Sequence, residues 1–453
     1  MTLETTSLRV RDSGIRSLFT QDARWQAWLD VEVALADAEA ELNMIPAEAA
    51  VEIRKKAQLE LLNRDNIVEG LTRTGHQLVP LVWELSRICD GDAGNYVHWG
   101  ATTQNIVDTG DTLLARKVHR ILLSQLRRAL LAMSSLATKS AEFVLPGRTH
   151  GQHAVPATFG YKVAVWIDEM IRHVDRLRDA EGRYFVAMLG GAAGTFASFG
   201  NQGFEVQASL ARHLDLTPMP VPSRTHGDHH AEYVCLMGLL AATCGKIGHE
   251  SYTMMKQEFG EAEEPVPAGT VGSSTMPQKR NPILAQDIIT ASAQIRALVP
   301  LALEGMMTEH EANRANAEMI RHTEREACIM MGDVLERFIM IMEGIRLNPE
   351  RMRANLDLSG GMILAEAIML KLGDTLGRQE AHDVVYDIAQ AVATDGGSFA
   401  ERLAAQPMVT ERLTSAEIGE LLDPAAYTGL CAAMAHAQAA RAIEVAETIT
   451  PVV

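Results

Sequence analysis

The chain has 453 residues, 47% of them hydrophobic, which is long enough for two or three domains with well-buried cores. Its formal net charge of -17 disfavours a nucleic-acid partner, because a phosphate backbone requires clustered lysine and arginine. Five cysteines without Cys-x-x-Cys spacing disfavour a disulfide scaffold and a zinc site.

Targeting and membrane signals are weak along the sequence. The first residues lack a basic segment followed by an apolar stretch. The longest uncharged apolar run, residues 234–244, is too short to cross a bilayer. We therefore expect a cytoplasmic protein with no membrane partner.

Apolar residues recur at helical spacing over long segments, and strand signals are scarce. In segments 28–42, 122–136 and 163–177, successive apolar residues are three or four positions apart. Periodic segments of this length are typical of long helices packed side by side in a bundle. The sequence therefore predicts an all-α chain, in which the 22 methionines serve as flexible core filler.

Polar and glycine-rich segments divide the chain into three parts. One such segment, residues 95–110, closes a first helical region, and Asn348-Pro349 followed by a Gly-Gly pair closes a long central one. We predict an N-terminal helical domain at 1–110, a central long-helix bundle at 111–355 and a C-terminal helical domain at 356–453.

Two polar motifs precede the middle of the chain. Residues 100–105 offer the short hydroxyls of Thr102 and Thr103 and the amide of Gln104, which suit the binding of a carboxylate. Residues 147–152 contain His150, whose imidazole titrates near neutrality and can protonate a departing group. A structural histidine is the alternative, and a metal pair with His153 lacks a third placed ligand, so we expect no metal.

The segment at 272–282 reads Gly-Ser-Ser-Thr-Met-Pro-Gln-Lys-Arg-Asn-Pro. Lys279 supplies charge, Asn281 supplies amide donors, and backbone N–H groups can converge where negative charge develops. The preceding segment, 257–272, is acidic and lacks apolar periodicity, so we expect it to be mobile and solvent-facing. The alternative is a polar loop that only caps the helix starting near Pro282, with Ser or Asn as its N-cap.

The net negative charge requires local positive groups to attract an anionic substrate. Arg148, Lys279, Arg280 and the N-termini of helices are the candidates.

The segment at 272–282 resembles the signature of the fumarase and aspartase superfamily of lyases, Gly-Ser-Ser-x-Met-Pro-x-Lys-x-Asn, at every fixed position. The motifs at 147–152 and 100–109 resemble two further blocks of that family, in the same order. This resemblance implies a homotetramer with a twenty-helix core, in which each active site collects loops from three chains. It also implies a small dicarboxylate substrate and no cofactor.

The resemblance assigns roles to individual residues. It implies that Ser273 is the base that removes a proton beside a carboxylate, and that His150 is the acid at the other end of the broken bond. A serine is basic only where its alkoxide is stabilised by nearby donors and cations. Residues expected to bind substrate are Thr102, Thr103, Gln104, Thr149, Ser274, Lys279 and Asn281, with His98 and His76 as pocket residues similar to positions in adenylosuccinate lyases.

The chain resembles two different branches of the superfamily in different segments. Segments 15–46 and 351–367 resemble the bacterial 3-carboxy-cis,cis-muconate cycloisomerases, yet those enzymes typically carry tryptophan where this chain has His150. That histidine resembles the carbon-nitrogen lyases. Adenylosuccinate lyase itself fits poorly, because His310-Glu311-Ala312-Asn313 lacks the arginine of its His-Glu-Arg-Asp segment, a ligand suited to phosphate.

A second departure concerns the acid. Gln286 stands where related lyases carry a glutamate that pairs with the histidine, and an amide can orient the ring but cannot offset imidazolium charge. His150 is therefore either a general acid or a hydrogen-bond donor to the substrate.

The leading hypothesis is a lyase that eliminates an amino- or ether-linked substituent from a substituted succinate to give fumarate. The alternative enzyme is a lactonising 3-carboxy-cis,cis-muconate cycloisomerase. A non-catalytic structural or binding homologue is the alternative of another class. The segments expected to contact the leaving group are 223–233 and 309–324, which do not identify it.

Overall fold

A computed structural model describes residues 9–266 and 269–452, and 69% of the structure is helical. The predicted all-α class is confirmed. The first five helices are α1 (Ile15–Leu18), α2 (Gln21–Glu41), α3 (Ala47–Lys56), α4 (Arg64–Thr74) and α5 (Val79–Ile88). The next six are α6 (Thr103–Lys139), α7 (Phe159–Tyr184), α8 (Gly203–Leu214), α9 (Asp228–Met255), α10 (Ile283–Gly305) and α11 (Arg314–Gly344). The last seven are α12 (Pro349–Leu356), α13 (Ala365–Leu376), α14 (Arg378–Asp395), α15 (Phe399–Ala405), α16 (Pro407–Thr410), α17 (Ser415–Leu421) and α18 (Cys431–Glu447).

The strands of the described residues form three short pairs. An antiparallel hairpin joins β1 (Val144–Thr149) to β2 (Gln152–Thr158), and its register shifts between Pro146 and Arg148. The two-residue strands β3 (Val186–Ala187) and β4 (Thr217–Pro218) pair in parallel, and β5 (Ala262–Glu263) pairs antiparallel with β6 (Arg346–Leu347).

The N-terminal helices enclose their own apolar cluster. Trp25 and Trp28 of α2 lie in it with Ile53 and Leu85, and helix α8 adds Leu210. Helix α2 packs on α3, α6 and α8, and most of its residues between Trp25 and Glu39 are buried, so it is enclosed on nearly all sides.

The central core is a bundle of long helices. Helix α10 packs between α9 and α11, α11 packs on α6, and α6 packs on α7. Leu126 and Met133 of α6 and Val163 and Met170 of α7 are fully buried, as their spacing predicts. Helix α18 returns to this bundle and packs on α6 and α7, where Ser134 Oγ donates a hydrogen bond to the Ala439 carbonyl at 2.9 Å.

A third apolar cluster joins helices α13 to α17. Its members include Ile368, Val385, Phe399 and Leu403. Helix α6 runs through residue 110 without a break. The domain boundaries proposed from the sequence stay predictions.

Helix α9 is long and apolar enough to span a membrane by length and composition alone. In the structure 61% of that apolar stretch is buried against neighbouring helices, as in the core helix of a bundle.

Candidate active site

One cluster of predicted site residues lies at the start of α6. The Thr102 N–H donates to Asn105 Oδ1 at 3.1 Å, and the same buried oxygen accepts the Gly191 N–H at 3.1 Å. These bonds fix the first turn of the helix and its approach loop. Gln104 extends from that turn and donates from Nε2 to Asp108 Oδ2 at 2.8 Å, one helical turn further along.

His76 faces this turn from the loop before α5. Its Nδ1 accepts the backbone N–H groups of Leu78 and Val79 at 3.3 and 3.1 Å, so the proton of the neutral ring belongs on Nε2. That Nε2 lies 3.4 Å from Thr103 Oγ1. The structure thus brings His76 and the Thr102–Gln104 turn together.

His98 occupies the loop before α6 in a left-handed conformation, with φ of 63°. Its Nδ1 lies 2.7 Å from Oε1 of Glu32, which is 3% exposed. Burial alone would lower the pKa of His98, but the Glu32 carboxylate outweighs it and raises that pKa above its ordinary value. Glu32 therefore orients the ring and favours its charged form.

A second cluster lies at the tip of the β1–β2 hairpin. His150 and Gly151 form its two-residue turn with φ of 51° and 77°, the positive pair that a tight hairpin turn requires. Both His150 and the neighbouring Thr149 are exposed there. The hairpin therefore holds the imidazole away from its own subunit's core.

The base of this hairpin is fastened to the segment that precedes the signature loop. Arg148 makes a two-pronged ion pair with Glu261 at 2.6 and 3.0 Å, and its guanidinium lies 5.0 Å from the Phe259 ring centroid. Glu261 is fully buried and also accepts from Asn355 Nδ2 at 2.8 Å. Arg148 was one of the candidates for attracting an anionic substrate, and its ion pair with Glu261 means that it is not a free cation in one chain.

The third cluster is the signature loop itself. Ser273 Oγ accepts backbone N–H groups from Thr275 at 3.3 Å and from Met276 at 3.1 Å. Asn281 Nδ2 donates to the Gly272 carbonyl at 2.7 Å and thereby ties the two ends of the loop together. A Cβ at Gly272 would lie 2.2 Å from the Lys279 carbonyl oxygen, so this closure requires glycine.

Positive charge at the loop comes from Lys279. Arg280 is paired with Glu263 at 2.6 Å, so it is not the free cation that the sequence suggested. The side chains of Lys279 and Ser274 are exposed and have no hydrogen bond or ion pair with any described residue. Lys279 is therefore free to meet an anion.

The segment before the loop was predicted to face solvent, and two of its glutamates, Glu261 and Glu264, are buried instead. Glu264 is 3% exposed and accepts the N–H groups of Leu284 and Ala285, both at 3.0 Å. It caps the N-terminus of α10, the place where a serine or asparagine cap was considered. Burial raises the pKa of Glu264, against the effect of these backbone hydrogen bonds. The acidic segment is thus anchored at Glu261 and Glu264.

Within the described residues, no hydrogen bond or ion pair joins any of the three clusters to another. Gln286 is exposed on α10, and the neighbouring Asp287 carboxylate accepts from Arg337 Nε at 3.1 Å. In one chain, therefore, neither Gln286 nor Asp287 contacts His150.

A cavity of about 350 Å³, lined by several charged side chains, opens beside Gln104 between the first turns of α6, the start of α9 and helix α11. Its walls include segments 224–227 and 317–325, which overlap the two segments expected to contact the leaving group. Ion pairs cross the cavity. Arg24 and Asp111 in this wall were not predicted from the sequence, although the spacing of Gln104, Asp108 and Asp111 on one helical face was an available signal.

On the α9 and α11 side, His230 Nδ1 lies 2.7 Å from Glu324 Oε2, and the Tyr184 hydroxyl donates to the same carboxylate. Burial opposes a charge on His230, but Glu324 outweighs it and raises the His230 pKa. No group of three or more His, Cys, Asp or Glu side chains in the described ranges is arranged to hold a metal ion.

A family model described as Lyase matches residues 7–297, well over half of the chain. This chain belongs to the fumarase and aspartase superfamily of lyases. A second model, adenylosuccinate lyase C-terminus, matches residues 361–437. The chain is therefore a member of an enzyme family, and its relatives include both lyases and cycloisomerases.

Relatives within the superfamily cover nearly the whole chain. N-acetyl-S-(2-succino)cysteine lyase of Dickeya dadantii is 37% identical over 92% of this chain and 91% of its own. Adenylosuccinate lyase of Methanocaldococcus jannaschii is 36% identical over 92% and 91%. The crystal structure of 3-carboxy-cis,cis-muconate lactonizing enzyme from Pseudomonas putida superimposes with a TM-score of 0.86, at 33% identity over 96% of this chain and 97% of that one.

Proposed function

We propose that this protein is a cofactor-free lyase that eliminates a substituent from a substituted succinate and releases fumarate. The observation that carries the proposal is the surroundings of Ser273. Two backbone N–H groups donate hydrogen bonds to Ser273 Oγ. The same loop contains Lys279, whose ammonium has no ion-pair partner among the described residues. Both features favour the alkoxide over the neutral hydroxyl, which is what a serine base requires.

The proposed elimination proceeds in two steps. Ser273 Oγ takes the proton from the carbon beside a carboxylate, and the electron pair moves into that carboxylate to give a dianionic intermediate. Lys279 and loop N–H groups stabilise this charge. The pair then returns to form the carbon-carbon double bond as the bond to the substituent breaks, and His150 supplies a proton to the departing atom.

The three clusters meet only if several chains contribute to one site. We propose a homotetramer in which the α6 cluster, the His150 hairpin and the Ser273 loop of a site come from three different subunits. The exposed position of His150 and the lack of contacts between clusters within one chain support this arrangement. The proposed location is the cytoplasm.

The departing atom is nitrogen, oxygen or sulfur in this proposal. The names of two relatives support nitrogen and sulfur, since one acts on adenylosuccinate and the other on an S-succinylated cysteine. The second candidate function is 3-carboxy-cis,cis-muconate cycloisomerase, which the likeness to the lactonizing enzyme favours. The presence of His150 rather than tryptophan favours the lyase. Intact Ser273, Lys279 and His150 disfavour a non-catalytic homologue.

A direct assay separates these candidates. The purified protein is incubated with fumarate together with ammonia, small amines, amino acids or thiols, and the absorbance of fumarate is followed. A second reaction contains 3-carboxy-cis,cis-muconate. Loss of fumarate in the presence of a nucleophile supports the lyase, whereas turnover of carboxymuconate alone would replace it with the cycloisomerase.

A further inference from the structure

The cavity beside Gln104 contains an arginine whose charge no described residue neutralises. Arg224 lies in the loop that precedes α9, and its backbone carbonyl accepts from Gln104 Nε2 at 3.4 Å. The Nε atom of Arg224 is buried and has no hydrogen-bond partner among the described residues. A buried guanidinium donor without a partner is unfavourable, so a ligand that accepts a hydrogen bond from it is favoured.

The carboxylates of the cavity wall are already engaged. Asp111 is held by Arg24 at 3.0 Å, and Arg321 binds Asp108 at 3.1 Å and Glu318 at 2.9 Å. Glu324, the fourth carboxylate of the wall, faces His230 at 2.7 Å.

The other arginines of the wall are engaged as well. Arg24 and Arg321 belong to the pairs just described, and Arg325 pairs with Glu326 at 3.0 Å. Among the described residues, Arg224 is therefore the one arginine of this wall without an ion-pair partner.

We propose that Arg224 binds a carboxylate carried by the leaving group. The substrate class is then a succinyl conjugate of an amino acid, or of another amine or thiol that bears its own carboxylate. A planar guanidinium binds a carboxylate through paired N–H groups, and a single uncommitted cation matches a monoanion better than a doubly charged phosphate. This inference rests on the proposed function, because it identifies the substituent that the lyase removes.

The test uses matched substrates that differ in that one carboxylate. S-(2-succinyl)cysteine is compared with S-(2-succinyl)cysteamine, and N-succinyl conjugates of glycine and methylamine, joined at succinate carbon 2, form the second pair. We expect the parent to favour the carboxylated member of at least one pair in kcat/KM. Arg224→Gln should reduce that preference by roughly 10- to 100-fold, because a hydrogen bond to a charged group contributes about 1.5–3 kcal/mol.

Two further variants separate binding from folding. Arg224→Lys keeps the charge and should retain part of the preference. Arg378→Gln removes an exposed arginine at the start of α14, away from the cavity wall, and its preference should equal that of the parent. Thermal unfolding of each variant shows whether the fold survives.

The outcomes distinguish this inference from the function on which it rests. If the parent releases fumarate from both members of each pair equally well, or if Arg224→Gln slows both equally, the role of Arg224 is overturned and the lyase stands. If the parent turns over no succinyl conjugate, the proposed function is overturned, and the role of Arg224 with it.

Discussion

Ser273, the proposed base, lies in a loop whose backbone favours the anionic form of its hydroxyl. Its Oγ accepts two backbone N–H groups, and the side chain of Asn281 closes the loop around it. Hydrogen bonds donated to an oxygen stabilise its anionic form, and we propose that the ammonium of Lys279, in the same loop, adds to this when a substrate completes the site. Because these two donors are backbone atoms, this part of the environment depends on the fold of the loop.

His150 allows a test that depends on the leaving group. In His150→Gln, we expect kcat to fall by about 10²–10⁴-fold for an amine-linked substrate, because an amine leaves only when it is protonated. The loss should be much smaller for a thiol-linked substrate, since a thiol has a pKa of about 8.5 and can leave as the anion. Rates of fumarate release from both substrates provide the measurement.

His153→Gln on the same hairpin is the control for the histidine variant, and it should affect the two substrates alike. Equal losses for amine and thiol substrates in His150→Gln would contradict an acid role. They would identify His150 as a hydrogen-bond donor that holds the substrate.

Glu39 on α2 is fully buried, and neither of its carboxylate oxygens has a hydrogen-bond partner in the described part of the chain. Burial, with a smaller contribution from Glu32, raises its pKa from 4.5 to about 9. The folded protein therefore holds a proton that the unfolded chain releases above about pH 4.5. The stability contributed by this proton is complete below that pH and is lost as the pH rises toward 9.

Replacing Glu39 by methionine removes this pH dependence. We expect Glu39→Met to be more stable than the parent at pH 8, by a margin that shrinks by about 1 kcal/mol for each unit by which the pH is lowered toward 5. Urea unfolding at pH 6 and pH 8 measures the difference. Glu48→Gln, at an exposed position on α3, should show no such trend, and a margin independent of pH would show that Glu39 is ionised in the folded state.

At the scale of elements, the β1–β2 hairpin is joined to the segment that precedes the signature loop by the buried pair of Arg148 and Glu261. Glu261→Gln leaves the guanidinium without its counter-charge, so we expect a loss of about 3–5 kcal/mol in the free energy of unfolding. The matched control is Glu263→Gln, two residues away, whose pairs with Arg280 and Arg346 are more exposed and worth at most about 1 kcal/mol.

Denaturant unfolding of both glutamate variants is the measurement. Similar small losses in the two would contradict the anchoring role of Glu261.

The elements that the sequence predicted best are those with a long repeating pattern. The apolar repeats at 122–136 and 163–177 lie within α6 and α7, and their members are buried as expected. Glu261 and Glu264 were misjudged because composition alone reads a run of glutamates as solvated. Their burial depends on Arg148 and on the N-terminus of α10, partners supplied by distant or unrelated segments.

The site was predictable in its motifs and not in its assembly. Positions 102–104, 149–150 and 273–281 could be singled out because their residue types suit the binding and chemistry of an anion. Segments 223–233 and 309–324, which contain Arg224 and Arg321, were expected to contact the leaving group, but the cavity that joins them to Arg24 could not be predicted, because its walls come from segments far apart in the chain. Tertiary packing alone brings these arginines together.

At the scale of the whole molecule, apolar side chains remain exposed on the bundle. Leu239 of α9 is 49% exposed, Leu303 of α10 is 47% exposed and Met307 is 69% exposed. Large exposed apolar groups on neighbouring helices are typical of a surface that another subunit covers. This supports the proposed tetramer, in which the separated clusters complete one another.

Shared sites make a specific prediction for mixtures of inactive variants. With an amine-linked substrate, the Ser273→Ala and His150→Gln proteins should each be nearly inactive, whereas subunits exchanged between them should form some sites with both native residues. Mixing under conditions that dissociate and reassemble the subunits should therefore restore part of the activity. Gel filtration is the companion measurement, and a mass near one 49.4 kDa chain, or a mixture with no gain in activity, would contradict the shared site.

The rate of fumarate release by Ser273→Ala, compared with Ser274→Ala in the same loop, tests most directly whether Ser273 is the base. We predict a fall in kcat of about 10²–10⁴-fold for Ser273→Ala, because the base is lost, with substrate binding largely retained. Ser274→Ala should lose far less, since its hydroxyl contributes at most one hydrogen bond. A Ser273→Ala enzyme within a few-fold of the parent would show that another group removes the proton.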